Sequence, residues 1–136
     1  MKIKLLQKHN FVSGPKRTHY NDAGADVAST IDVVLNAHET YAIPLGYGIQ
    51  LPDGFQAIVQ PRSSMSKKGI VTQVAPIDSG YTGEIHAIVS NISDEPYKIH
   101  AGDRVGQIVI MPILLADFVT HLSGERGDGS FGSSGK

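Results

Sequence analysis

Cysteine is absent from all 136 residues. Neither a disulfide framework nor a thiolate nucleophile is available, which fits a reducing compartment. No apolar run approaches the ~20 residues that a membrane span needs. Met1 to Asn10 lacks the apolar core and small-residue cleavage site of a signal peptide. A strong charge of either sign is missing too. The formal net charge is -1, so there is no long-range pull towards nucleic acid or anionic lipid. The histidines His9, His19, His38, His86, His100 and His121 are not paired at metal-ligand spacing. There is no G-x-S-x-G elbow, no P-loop and no long segment with a 3.6-residue period. These absences predict a soluble, cytoplasmic protein with neither a nucleic-acid nor a membrane partner. The length suits one domain, which buries roughly 70% of its unfolded surface and folds without metal or disulfide.

What is present reads as β. Thr40 to Leu51 and Phe55 to Gln60 are β-rich runs flanking the turn Pro52-Asp53-Gly54, where Pro presets φ and Gly permits φ > 0. Glu84 to Asn91 alternates, with Ile85, Ala87 and Val89 on one face and His86, Ile88 and Ser90 on the other. Val105 to Ile113 is a β-branched run that ends in turn residues and Pro112. Ser64 to Lys68, before Gly69, is the best place for a helical turn. Short strands at regular spacing predict an all-β sandwich or closed barrel.

The chain divides into a β domain, 1–122, and a tail, 123–136. The tail holds five glycines and four serines around one aromatic, Phe131. It cannot bury enough apolar surface to offset its ordering entropy and is expected to be mobile. Composition alone leaves it without a task, whereas Phe131 and Arg126 offer a stacking plane and a phosphate clamp. Gly127 to Gly132 matches the dinucleotide pattern G-x-G-x-x-G. That pattern needs a strand before it and a helix after it, and only four residues follow.

Four further segments carry polar chemistry. Asp78 lies in Pro76-Ile77-Asp78-Ser79-Gly80-Tyr81-Thr82-Gly83-Glu84, read as a hairpin with a carboxylate and an aromatic at its turn. The carboxylate suits a general base, and it equally suits a type I turn former. Pro61-Arg62-Ser63-Ser64-Met65 offers a cation, two hydroxyls and a helix start, which make an anion site or an ordinary Ser N-cap. Gly102 to Gln107 reads as a turn entering a strand, with Asp103 and Arg104 as a local ion pair. Ala23-Gly24-Ala25-Asp26 places another carboxylate at a plain turn.

All five segments occur together, in one order. That order resembles the trimeric dUTPase family over most of the chain. The first motif is Ala23-Gly24-Ala25-Asp26-Val27-Ala28-Ser29, and the second runs from Pro61 to Ile70. The third runs from Ile77 to Ile85, the fourth from Ala101 to Ile108, and the fifth from Arg126 to Gly135. Departures from the family pattern are Ala25 for an aromatic, Ala75-Pro76 for Gly and an aliphatic, Met65 for leucine and Ser130 for glycine. The Ile70–Ile77 stretch is also shorter than in members that carry a uracil-contacting Asn there.

The resemblance narrows the all-β fold to a jelly-roll-like barrel or sandwich. It implies hydrolysis of dUTP to dUMP and pyrophosphate by a homotrimer with shared sites. Nucleotide-pool sanitation and dUMP supply would follow. It makes Asp78 the base that activates a water for attack on the α-phosphorus. It assigns phosphate contacts to Arg62, Ser63, Ser64, Gln107, Arg126, Gly132 and Ser133, and nucleoside contacts to Pro76, Ile77, Tyr81, His86 and Phe131. It implies Mg²⁺ held by phosphates and waters, with Asp26 behind the waters and no direct protein ligand. Backbone around Ile77 and His86 would match the uracil edge, and cytosine would leave buried groups unpaired at ~1–3 kcal/mol each. Tyr81 would pack where a ribose 2′-hydroxyl sits. Two alternatives remain. A dCTP deaminase-like enzyme asks for a glutamate five residues after Gly83, where Ile88 stands, and for Phe in place of Tyr81. A dUTP-switched regulatory binding protein is the other.

Overall fold

The strands form because β-branched and aromatic residues alternate with polar ones, and they close on one another because none can bury its apolar face alone. The computed structural model describes residues 1–124. Along the chain run β1 (Lys4–Gln7), β2 (Ala25–Ala28), β3 (Val33–Leu35), β4 (Thr40–Pro44), β5 (Tyr47–Gln50) and β6 (Phe55–Gln60). A single helical turn, α1 (Ser63–Ser66), precedes β7 (Ile70–Thr72), β8 (His86–Asn91), β9 (Tyr97–Ile99) and β10 (Arg104–Pro112). No helix among the described residues is long and apolar enough to cross a membrane.

The pairing is nested. β2 pairs with β10, β3 with β9 and β4 with β8, all antiparallel. One long ribbon of paired strands wrapped around a core gives this order, which is the jelly roll. β6 joins the far edge of β10, β7 the far edge of β8, and β1 covers β5. Side chains from both three-stranded sheets meet in one core that includes Val27, Leu35, Ile43, Tyr47, Ala57 and Val89, all essentially fully buried. Burying one such large aliphatic contributes about 1.5–3 kcal/mol.

Gly54 takes φ of +86° at the turn read from Pro52-Asp53-Gly54. The Thr40–Leu51 run is two strands, not one, since the chain bends at Leu45-Gly46 between β4 and β5. Asp26, read as part of a turn, lies within β2. Ser90 shares a face with His86 and Ile88 yet is buried, because its hydroxyl bonds Thr40 Oγ1 at 2.7 Å and accepts Gln73 Nε2 at 2.9 Å. Arg104 does not pair with Asp103. It reaches Asp26, and Asp103 instead faces His100 and accepts its backbone N–H at 2.8 Å.

Asn91, at the end of β8, has no exposed surface. Its amide donates to Leu35 O at 3.1 Å and Glu95 O at 2.7 Å, and its oxygen accepts from Ser93 N–H and Oγ. Asn91→Leu is therefore expected to destabilise the protein by about 3 kcal/mol, since it leaves several buried groups unpaired. Urea unfolding at fixed protein concentration measures this, and a loss below about 1 kcal/mol would contradict it.

Candidate active site

The segment between β7 and β8 begins as an antiparallel hairpin and then opens. Gln73 N–H donates to Ile88 O at 2.7 Å, the last bond joining the two arms among the described residues. Beyond it each arm pairs outward. Ile77 exchanges both backbone bonds with Ala57 of β6, at 2.7 and 3.1 Å. Ile85 donates to Tyr47 O at 2.9 Å and accepts Leu45 N–H at 3.1 Å. The arms are thus held apart, and a cleft of about 300 Å³ lies between them. Gln73 and Ile88 stand where the arms join. Ile77 and Pro76 line one side, Ile85 and His86 the other, with Asp78 and Tyr81 at the tip.

The tip is a tight turn closed by Tyr81 N–H to Asp78 O at 3.0 Å. Ser79 Oγ donates to Asp53 at 3.1 Å, and the Asp78 side chain is exposed. The Tyr81 hydroxyl donates to Glu84 O at 2.7 Å. Glu84 Oε2 accepts Gly46 N–H at 2.9 Å and Asn10 Nδ2 at 3.0 Å. Burial works against the Glu84 charge. The Asn10 and Gly46 hydrogen bonds, with the positive potential of His86 and His9, outweigh it and hold its pKa below the ordinary carboxylate value.

A second polar group forms on the β2–β10–β6 sheet. Asp26 sits opposite Gln107, and Gln107 opposite Gln60. The β10 register slips between Arg104 and Gly106, so Val105 is an extra residue. That bulge re-phases the strand, and Arg104 and Gln107, three positions apart, both point to the Asp26 side. Arg104 Nη1 lies 3.3 Å and Arg62 Nε 3.7 Å from the two Asp26 oxygens. Gln107 Nε2 donates to Pro61 O at 3.1 Å. Arg62, not a serine, occupies the N-cap of α1, and no side chain caps that turn. Ser63 and Ser64 are exposed, while Met65 anchors the turn in the core. The group combines cations, hydroxyls and an amide, which is the chemistry of an anion site.

Asp26 already faces two guanidinium groups, and no cluster of three or more His, Asp or Glu side chains among the described residues could hold a metal. A carboxylate set among cations and hydroxyls is compatible with Mg²⁺ that arrives on an anionic ligand.

The structure brings Pro76, Ile77, Asp78, Tyr81 and His86 to one cleft, and Asp26, Arg62, Ser63, Ser64 and Gln107 to the other group. It does not bring the two groups together. Ile77 pairs antiparallel with Ala57, so Asp78 lies towards Gln56 while Arg62 lies past the other end of β6. Six extended residues separate those ends by ~20 Å. Arg126, Phe131, Gly132 and Ser133 lie outside the described residues. Sequence reasoning gave no role to Gln73, Glu84 or Asn10, and read Arg104 only as a partner of Asp103. Asn10 meets Glu84 from 74 residues away, a contact with no local signal.

The dUTPase family model matches residues 12–135. The deoxyuridine 5'-triphosphate nucleotidohydrolase of Leifsonia xyli is 41% identical over 128 residues, covering 89% of this chain and 84% of that protein. Among solved structures, the dUTPase of Staphylococcus bacteriophage 80alpha, in an Asp-to-Asn mutant with dUpNHpp, superposes with a TM-score of 0.80. It is 25% identical and covers 89% of this chain and 97% of its own. That work describes phage dUTPases as controlling transfer of virulence genes by a G protein-like mechanism. An Asp-to-Asn mutant of the dUTPase from phage phi11 of S. aureus, described with a structural Mg(II) ion, has a TM-score of 0.81 at 25% identity. It covers 90% of this chain and 99% of its own. An opened hairpin with a carboxylate at its tip, a separate cluster of cations, hydroxyls and an amide, and a family match that spans almost the whole chain lead to one conclusion: this protein belongs to the dUTPase family.

Proposed function

We propose that this protein is a soluble, cytoplasmic dUTP diphosphatase, which hydrolyses dUTP to dUMP and pyrophosphate and so both removes dUTP from the nucleotide pool and supplies dUMP. The observation that carries the reading is the hairpin held open by outward pairing, with Asp78 at its rim. The parted arms leave backbone edges facing the cleft, and a planar base with alternating donors and acceptors is the ligand such edges suit. Cytosine reverses that polarity and would leave buried groups unpaired at ~1–3 kcal/mol each. Tyr81 would lie against the sugar, where a ribose 2′-hydroxyl meets the ring.

In this reading Asp78 accepts a proton from a water that attacks the α-phosphorus in line with the leaving pyrophosphate. A carboxylate at the cleft rim suits that task. Arg62, Ser63, Ser64 and Gln107 would bind the phosphates, holding the α-phosphorus for attack. Mg²⁺ bound to the triphosphate would neutralise part of its charge and orient the leaving group. The placement of Asp78 and Arg62 towards opposite ends of β6, ends that lie ~20 Å apart, supports a site shared between copies, and we propose a homotrimer. Leu114 and Phe118, 95% and 97% exposed just after β10, support a partner copy covering that segment. Tail residues 123–136 would close over bound nucleotide, with Arg126, Gly132 and Ser133 on the phosphates and Phe131 on the base. A deaminase-like reaction has no acid at Ile88, whose aliphatic side chain lines the cleft. A regulatory role switched by dUTP is the second reading, favoured by the likeness to the phage 80alpha protein. A pull-down from native extract with and without dUTP tests it.

Pyrophosphate release assayed on each dNTP and on UTP tests the main reading, and equal rates on dCTP or UTP would overturn it. Asp78→Asn should stay folded and bind nucleotide while turnover falls by ~10² or more. Near-native turnover would remove Asp78 as the base. Tyr81→Ala should raise turnover of UTP relative to dUTP, read as the ratio of specificity constants. Truncation after Leu122 should leave the melting temperature nearly unchanged and lower turnover sharply, because a clamp on the leaving pyrophosphate is lost. Full activity in the truncated protein would leave the tail without a catalytic task.

A further inference from the structure

One chain of hydrogen bonds leads from the barrel wall to the cleft tip. It starts at Gly46 N–H and Asn10 Nδ2, which both donate to Glu84 Oε2 at 2.9 and 3.0 Å. Asn10 is itself fixed in a turn. Lys8 N–H donates to Gly46 O, and Phe11 N–H to Lys8 O, each at 3.0 Å. The chain continues through the Glu84 backbone, whose carbonyl accepts the Tyr81 hydroxyl at 2.7 Å. It ends at Asp78, whose carbonyl accepts Tyr81 N–H. Residues 82–83 lie flush on β5, since a Cβ on Gly48 would come within 2.7 Å of Thr82 O. Lys8 Nζ ties the same carbonyl at 3.2 Å.

Tyr81 is 47% exposed, and its ring lies against Gly83, where an added Cβ would come within 2.8 Å of Cζ. Its hydroxyl bond to Glu84 O holds the far end of the ring. Glu84 O is held from two sides: Ile85 N–H of the same peptide donates to Tyr47 O at 2.9 Å, and the Glu84 carboxylate takes two charge-assisted donors from elements distant in sequence. Small displacements of a group that positions substrate have large kinetic consequences.

We infer that Glu84 is a positioning residue for sugar selection: tied by Asn10 and Gly46, it sets the Tyr81 ring against which the deoxyribose packs. The inference rests on the sugar-reading role proposed above for Tyr81. Loss of the tie lets the ring swing aside and admits a 2′-hydroxyl. Discrimination against ribonucleotides then depends on Asn10, a residue outside the cleft.

The test compares kcat/KM for dUTP and UTP, with Mg²⁺, in the full-length protein and its variants. Glu84→Ala and Tyr81→Phe should each lower the dUTP-to-UTP ratio about tenfold, and the double variant should lower it no further. Asn10→Ala should lower it in the same direction. Glu84→Gln should stay within about twofold of the unaltered protein, because an amide oxygen still accepts both bonds. Melting temperatures report the purely structural share. A clamp that only staples the barrel would lower them in Glu84→Ala and leave the ratio unchanged. Tyr81→Phe removes one surface hydroxyl, so it keeps the test open if Glu84→Ala fails to fold. An unchanged ratio in Tyr81→Phe beside a changed ratio in Tyr81→Ala overturns the inference alone. Additive losses in the double variant also overturn it, since they mean that Glu84 acts independently of the Tyr81 hydroxyl. An unchanged ratio in Tyr81→Ala removes the sugar-reading role and the inference with it.

Discussion

Ile77 gives its backbone to Ala57, and Ile85 gives its backbone to Leu45 and Tyr47. In an ordinary hairpin these two arms would face and bond each other. Here each completes a neighbouring strand, and the space between them becomes the cleft. Ile77 and Ile85 keep their outward backbone bonds, while the backbone groups of their neighbours that face the cleft are left open to a ligand. The exchange also makes the cleft rigid, because its walls are extensions of the barrel and not a free loop. Asp78 and Tyr81 take their positions from this arrangement, one at the rim and one across the turn.

The second group depends on a different irregularity. Without the β10 bulge, Arg104 and Gln107 would point to opposite faces of the sheet. The extra residue, Val105, turns both towards Asp26 and is itself buried in the core. The ion pairs there are partly exposed and contribute little to stability. Their effect is orientational: Asp26 holds two guanidinium groups at one end of β6, where they present a cationic face to solvent. Stability comes from the nested strands and their shared core, and polar residues such as Asn91 tie loop carbonyls that would otherwise be buried unpaired.

The β class, the turn at Gly54, the helical turn near Ser64, and the inward face of Ile85, Ala87 and Val89 were all legible in the sequence. They are local: alternation and turn chemistry act over a few residues. Among the strands of three or four residues, β1, β2, β3, β7 and β9 went unread, being too short for alternation to show. They exist because a distant partner completes them, as β10 does for β2. For that reason Asp26 read as a turn residue and Arg104 as the partner of its neighbour.

The site divides along the same line. Residue types and their order marked the carboxylate, the aromatic and the basic-hydroxyl segment, because those identities are written in the chain and resemble a known family. Their grouping was not written there. Only the tertiary structure placed Pro76, Ile77, Asp78, Tyr81 and His86 around one cleft, and set Arg62 at the far end of β6. It alone brought Asn10 to Glu84 across 74 residues. The physical reason is that sheet partners are chosen by burial of whole faces and by register, both of them long-range. A single sequence determines what each residue can do, and the packing of strands decides which residues do it together.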